Sequence, residues 1–154
     1  MELTSVVLRL LAAAAAGAAL GYDREVADKP AGLRTHMLVA LGSATFGLAG
    51  VDATLDGPRP SHADVTRVIQ GIAGGIGFLG AGAIIKGRGR DGVSGLTTAA
   101  SVWGAGALGL AAGLGAYVLV LCSSILCLGT LALWRFEKGA RRGSGGGAEE
   151  SPRD

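Results

Sequence analysis

The chain contains Gln70-Gly-Ile-Ala-Gly-Gly-Ile-Gly-Phe-Leu-Gly-Ala-Gly-Ala83, an apolar and uncharged stretch in which glycine recurs every one to three residues. In water this stretch would be a poor helix, because each interior glycine costs about 1 kcal/mol relative to alanine. In a bilayer an unpaired backbone group is more costly still, so the chain must stay helical. Gly71 and Gly75 form a GxxxG pair, which lets membrane helices approach closely. The stretch predicts the central helix of a small membrane bundle.

The composition of the remaining chain supports a membrane protein over a buried helix of a soluble one. Apolar residues make up 49% of the 154 residues and charged residues 17%. Residues 92–134 contain no Asp, Glu, Lys or Arg, and this run is long enough for two spans of about 20 residues. The hydropathy pattern predicts an all-α, polytopic membrane helix bundle of about five transmembrane helices, at about 3–20, 33–51, 67–85, 95–113 and 116–134.

These spans define a transmembrane domain over residues 1–134, followed by a disordered cytoplasmic tail over residues 135–154. The tail is rich in Gly, Ser and charge and lacks the apolar residues needed for a core. A cleavable signal peptide is the alternative for the first span, but no base precedes the apolar run and Arg9 lies inside it. Arg9 either snorkels to the nearer surface or contacts another helix, and the sequence leaves both open.

The distribution of basic residues predicts the orientation. The first loop, the third loop and the tail carry 3, 3 and 5 Lys or Arg residues, whereas the opposite side has Arg59 and the boundary residue Arg67. The positive-inside rule places the three basic segments in the cytoplasm, with the N-terminus outside and the C-terminus inside. The net charge of +2 is too small to indicate a nucleic-acid partner.

An internal repeat is indicated by two segments that align without gaps. Residues 32–50 and 95–113 match at seven of nineteen positions, and each follows a span that contains or starts at an arginine. The first two spans are therefore predicted to repeat as the third and fourth, as a parallel repeat of a two-helix hairpin.

Polar residues within or beside the spans are the candidates for chemistry, since the chain has no hydrolase, zinc-protease or nucleotide-binding motif. Arg67, Gln70, Thr97 and Thr98 are predicted to form a polar patch, the alternative being that the hydroxyls only bond across helices. His36, at the interface end of its span, is either a solvated or packed residue or has a role as a ligand or proton relay. The acids of the first loop alternate with bases, which favours ion pairs over a metal site. We expect no enzyme activity, no cofactor and no bound metal.

Three ordered motifs resemble the MgtC/SapB family of bacterial inner-membrane proteins. They are Arg24-Glu25 with Lys29-Pro-Ala-Gly-Leu-Arg-Thr-His36, then Arg67-Val-Ile-Gln-Gly71 with Gly75-Ile-Gly-Phe-Leu-Gly-Ala-Gly-Ala-Ile-Ile85, then Gly95-Leu-Thr-Thr-Ala-Ala-Ser-Val-Trp103. The functional candidates within them are Arg24, Glu25, Lys29, Gly32, Arg34, Thr35, Arg67, Gln70, Gly75, Gly77, Phe78, Gly80, Gly82, Thr97, Thr98 and Trp103.

The resemblance implies a multi-pass protein of the bacterial plasma (inner) membrane. Some members of the family are linked to magnesium limitation, survival inside host cells and inhibition of the F-type ATP synthase, and longer members carry a soluble C-terminal domain. Here a short Gly-rich tail stands in place of that domain. The expected function is modulation of magnesium, ion or energy homeostasis through contact with another membrane protein or by self-association, with Arg24, Glu25 and Arg34 at the contact. The alternative is a small transporter or channel subunit for magnesium or protons.

Overall fold

The computed structural model describes residues 2–52, 62–85 and 94–144, without the side chains of 51–52, 62–64, 85 and 134–144. The described chain is all-α, as predicted. Its five helices are α1 (Leu3–Val26), α2 (Leu33–Asp52), α3 (His62–Ile85), α4 (Leu96–Gly113) and α5 (Tyr117–Ser144). The predictions for the proline-containing loop, the basic turn at 86–91 and the last ten residues of the tail lie outside the described residues.

Two of the helices end in the same hydrogen-bonded turn. In α1 the amides of Asp28 and Lys29 donate to the carbonyls of Glu25 and Arg24, and Asp28 has φ of 52°. In α4 the turn falls at Leu114 and Gly115, as predicted, with φ of 81° at the glycine. This is the Schellman arrangement, which satisfies the last carbonyls of a helix and reverses the chain within a few residues. Each turn returns the next helix antiparallel to the one before.

The core of the bundle lies between α1, α2 and α4. The buried face of α1 is made of small residues at intervals of three and four, from Ala13 to Gly21. A methyl group at Gly17 would lie 2.7 Å from the His36 carbonyl oxygen, so α1 and α2 touch backbone to backbone. The remaining core residues that close this three-helix contact include Leu20, Ala44, Leu108 and Ala112.

The helices α2 and α4 are parallel neighbours in direct backbone contact. A methyl group at Gly109 would collide with the backbone of Ala40, and one at Gly113 would lie 2.5 Å from the Ala44 carbonyl oxygen. Because both pairs advance by four residues in the same direction, the two helices run parallel. Glycine is needed at these two positions because the backbones are too close for any side chain.

The prediction that α3 is the central, closely packed helix is wrong within the single chain. Methyl groups built at Gly71, Gly74, Gly75, Gly77 and Gly82 meet no described atom within 4 Å. Gly80 is the glycine of α3 that approaches a neighbour, at 3.5 Å from the Ala99 side chain. GxxxG spacing shows that a helix can be approached closely, but it does not say which helix approaches. Inside this chain, α1 and α4 use their own glycines to fill the core.

Within the part of the chain that the structure describes, three helices are long and apolar enough to cross a membrane by length and composition: Leu3–Val26, Val65–Ile84 and Leu96–Gly113. The apolar part of α5, Tyr117–Leu133, is shorter, and α2 carries the buried polar residues His36 and Ser43. The helix α2 packs against both α1 and α4.

The helix α5 continues through Ser144, ten residues past the predicted boundary at Trp134. Residues 135–144 contain no proline, and extending an existing helix costs far less than starting one. The disordered tail predicted from residue 135 is therefore wrong for these ten residues, while the division into domains stays a prediction. The parallel hairpin repeat also stays a prediction.

Candidate functional site

The first motif forms the corner between α1 and α2, residues 24–36, which we call the α1–α2 corner. Glu25 Oε2 accepts a hydrogen bond of 2.7 Å from the Leu33 amide, one of the first amides of α2 without a partner in its own helix. A methyl group at Gly32 would collide with that Glu25 carboxylate. The Glu25 carboxylate thus occupies the space that a side chain at position 32 would need, so a larger residue there requires the carboxylate to move.

Arg24 lies at the end of the small-residue face of α1 and is 2% exposed. Its Nη2 lies 3.3 Å from Asp23 Oδ2, and its Nε has no hydrogen-bond partner in the described structure. A buried guanidinium cannot form the surface contact that the sequence predicted. Position 24 is buried because it lies on the same face of α1 as the buried residues 13, 16, 17, 20 and 21. Lys29, Arg34 and Thr35 are exposed at the same corner.

A buried polar cluster joins this corner to α4. His36 is 0% exposed, and its Nδ1 lies 2.9 Å from the Gly32 carbonyl oxygen, while its Nε2 lies 3.0 Å from Ser101 Oγ. Ser101 Oγ also lies 2.9 Å from the Thr98 carbonyl oxygen, to which its hydroxyl can donate. The cluster of His36, Ser101 and Thr98 links α2 to α4 across the bundle. Buried polar groups in an apolar layer require such partners.

The predicted polar patch of Arg67, Gln70, Thr97 and Thr98 is not assembled. Gly80 of α3 lies against Ala99 of α4, and the two helices run antiparallel. Arg67 is thirteen residues before Gly80, which is about 20 Å along a helix at 1.5 Å per residue. Arg67 therefore lies at the opposite end of the bundle from Thr98, near Gly50 and Val68. Residues that share a face of one helix can be predicted from their spacing, but the sequence does not show how α3 is aligned lengthwise against α4.

The candidates on α3 and α4 otherwise face outward. Arg67, Gln70, Gly75, Gly77 and Gly82 are exposed on the single chain, as is Thr97 at the start of α4. Phe78 is 81% exposed and Trp103 is 51% exposed. In a membrane protein, such side chains face lipid or a partner helix. Gly80 is buried and belongs to the contact between α3 and α4.

The sequence reasoning missed the role of four residues. Gly17 and Gly21 form a GxxxG pair in α1, and a methyl group at Gly21 would lie 2.7 Å from the Leu33 Cα. Their spacing was visible in the sequence, within an alanine-rich run that hid it. His36 was a candidate but was not joined to Ser101, since nothing in the sequence pairs positions that are 65 residues apart.

Arg9 makes the inward contact that was one of its two predicted alternatives. Its Nη1 donates a hydrogen bond of 2.9 Å to the Gly113 carbonyl oxygen at the end of α4. A cation at a helix C-terminus also complements the helix dipole. Among the described residues, no group of three or more His, Cys, Asp or Glu side chains is placed to hold a metal ion.

A bundle of apolar helices with backbone-to-backbone contacts and a buried polar cluster defines a small polytopic membrane protein. Residues 10–138 match the model of the MgtC family, so the chain belongs to the MgtC family. SrpB of Synechococcus elongatus is 43% identical over 130 residues, covering 80% of this chain and 71% of SrpB. MgtC of Salmonella typhimurium is 40% identical over 127 residues, covering 78% of this chain and 51% of MgtC. SapB of Bacillus subtilis is 36% identical over 125 residues, covering 80% of this chain and 53% of SapB.

The chain thus spans about half the length of MgtC and SapB and a larger share of SrpB. No solved structure is similar to it.

Proposed function

We propose that this chain is a non-enzymatic protein of the bacterial plasma membrane that modulates magnesium or energy homeostasis by contacting another membrane protein. The link to magnesium is supported by family membership and by the Escherichia coli relative YhiD, 38% identical over 124 residues, whose name assigns it provisionally to magnesium transport. The contact with another protein is supported by the surface of α3.

The observation that carries the proposal is the open glycine face of α3, defined by Gly71, Gly74, Gly75, Gly77 and Gly82. None of these positions has a described neighbour within 4 Å of an added methyl group. Each glycine costs about 1 kcal/mol of helix propensity relative to alanine, without any packing in return from the single chain. In a membrane, glycine-rich faces are the surfaces on which helices associate. A partner helix would supply the missing packing.

An apolar groove between α2 and α3 extends this surface. Its volume is about 810 Å³, and its walls include Val39, Phe46, Ile72 and Leu79 beside two of the open glycines. Phe78, on the exposed side of α3, adds a large aromatic side chain. Aromatic side chains beside a close backbone approach are typical of the residues that dominate binding energy at protein interfaces.

The test compares two glycines that are equally open in the single chain. Gly74→Leu blocks the α3 face, whereas Gly129→Leu places the same side chain on α5, where an added methyl group also meets nothing within 4 Å. Both variants are expected to accumulate in the membrane and unfold like the parent. Gly74→Leu alone is expected to lose the co-purifying membrane partner and the ability to support growth of a family-deficient strain in low magnesium. Equal behaviour of the two variants in both assays would refute the docking role of α3.

The alternative function, transport by the chain itself, makes a different prediction. Four of the five buried polar or charged side chains of the described bundle lie towards one end: Arg24, His36, Thr98 and Ser101. Ser43 lies near the middle of α2, and the core around and beyond it is closed by Ala13, Ala44, Leu108 and Ala112. This arrangement favours a contact protein over a path through the single chain. Magnesium and proton flux in proteoliposomes decides between them: flux from the purified chain would support transport, and its absence with folded protein would support the contact role.

We also propose the orientation with the N-terminus outside and the C-terminus in the cytoplasm. It rests on the first loop, the third loop and the tail, which carry 3, 3 and 5 Lys or Arg residues. With five membrane crossings these three segments all fall on one side of the membrane, as the positive-inside rule requires of the cytoplasmic side. A reporter that matures only in the cytoplasm, fused after the tail, is expected to be active. Activity of a reporter that matures only outside would overturn this orientation.

A further inference from the structure

We propose that His36 is a proton-binding site that couples acidification to the packing of α1 against α2 and α4. The proposal begins with the direction of its hydrogen bonds. The Gly32 carbonyl oxygen, 2.9 Å from Nδ1, can only accept, so Nδ1 carries a hydrogen. The other nitrogen, Nε2, faces Ser101 Oγ at 3.0 Å, and a hydroxyl can either donate or accept.

The two protonation states of the ring use the same atoms in two different patterns. With a neutral ring, the Ser101 hydroxyl donates its single hydrogen to Nε2. With a protonated ring, Nε2–H donates to Ser101 Oγ, and the hydroxyl turns to the Thr98 carbonyl oxygen, 2.9 Å away. The added proton comes from water, and no other bond forms or breaks. Both patterns fit the observed positions, so the cluster can take up a proton without losing a hydrogen bond.

The charges around the ring determine what the proton does. From α1, the buried Arg24 guanidinium acts on the ring with its positive charge, and Asp23 pairs with that guanidinium at 3.3 Å. From α4, the neighbours Thr98 and Ser101 carry no charge. On α3, the charged residue with a described side chain, Arg67, lies at the far end of the bundle, and α5 does not pack against α2.

A protonated ring therefore places a second positive charge beside a buried guanidinium. Like charges in a low-dielectric interior repel more strongly than in water. The repulsion acts where Gly21 touches Leu33 and where a methyl group at Gly21 would lie 3.0 Å from the His36 Cβ. The contact between α1 and α2 at the α1–α2 corner is expected to loosen, while the link from His36 to α4 remains.

The first measurement is the protonation of the ring itself. The chain has two histidines, so His62→Gln leaves His36 as the single imidazole. In lipid nanodiscs, the ¹⁵N spectrum of labelled histidine is recorded from about pH 8 down to about pH 4, because burial of the ring and the nearby guanidinium both disfavour its charged form. We expect Nε2 to gain a hydrogen within this range. A ring that stays neutral throughout would overturn the proposal.

The second measurement is the response of the helices. Hydrogen exchange of residues 21–26, expressed relative to the intrinsic exchange rate at each pH, is expected to rise severalfold on acidification in the parent and in His62→Gln, but to stay constant in His36→Gln. The same rise in His36→Gln would show that another group is responsible and would overturn the coupling. If His36→Gln does not fold, the parent and His62→Gln still decide, since unchanged exchange across the midpoint of the ring titration would overturn it.

Discussion

The contact between α2 and α4 can be tested by adding one methyl group at Gly109. In the structure this methyl group would collide with the Ala40 carbonyl and Cα, which belong to backbone and cannot rotate away. Overpacking of this kind costs about 1–3 kcal/mol. The gain in helix propensity from glycine to alanine returns at most about 1 kcal/mol. Gly109→Ala is therefore expected to lower the free energy of unfolding by up to about 2 kcal/mol.

A matched control lies on the same helix. An added methyl group at Gly104 would be 3.8 Å from the Leu20 side chain and 3.9 Å from Cys127 Sγ, which is ordinary contact. Gly104→Ala keeps the propensity gain without the collision, so it is expected to be neutral or stabilising by up to about 1 kcal/mol.

The assay is thermal unfolding of both variants in nanodiscs of one lipid composition. By the scaling for soluble domains of this size, each kcal/mol shifts Tm by about 2–4 °C. Gly109→Ala should therefore melt a few degrees below the parent, and Gly104→Ala at or above it. Equal Tm values for the two variants would refute the backbone contact between α2 and α4.

Three further predictions concern the ends of the helices. Arg9→Gln loses a charge-assisted hydrogen bond to the Gly113 carbonyl and should lower the free energy of unfolding by about 1–3 kcal/mol, measured by thermal unfolding; an unchanged Tm would contradict the contact. Glu25→Gln weakens the cap on the Leu33 amide, costing about 0.5–1 kcal/mol, and faster hydrogen exchange of that amide is the check. Gly32→Ala displaces the same carboxylate, so it should accelerate the exchange of the Leu33 amide as Glu25→Gln does, and normal protection would argue against their pairing.

The number and order of the helices could be predicted because hydropathy and turn chemistry are local properties. The turn at Leu114 and Gly115 needs a residue that accepts positive φ, and the sequence supplies glycine at that point. The end of α5 could not be predicted, because residues 135–144 are polar enough for a tail yet contain no proline, so the helix continues through them despite two glycines.

The composition of the site could be predicted only in part, because burial depends on which helices face each other. Arg24 was predicted to be on the surface, since a charged residue in a polar loop usually is. Its position on the small-residue face of α1 places it in the core instead. The separation of Arg67 from Thr98 has the same origin, because their distance is set by the register of α3 against α4.

The glycines of this chain occupy two different environments in the structure. Gly17, Gly109 and Gly113 bring backbones together inside the chain, where an added methyl group has no room. Gly71 and Gly75 have the same four-residue spacing as Gly109 and Gly113 but face open space. Spacing alone predicted one glycine-rich helix at the centre of the packing. The structure has instead one set of glycines at the contacts inside the chain and another set on the exposed face of α3. A substitution at an internal glycine should therefore lower the free energy of unfolding. A substitution on the exposed face of α3 should instead abolish partner binding while the fold remains intact.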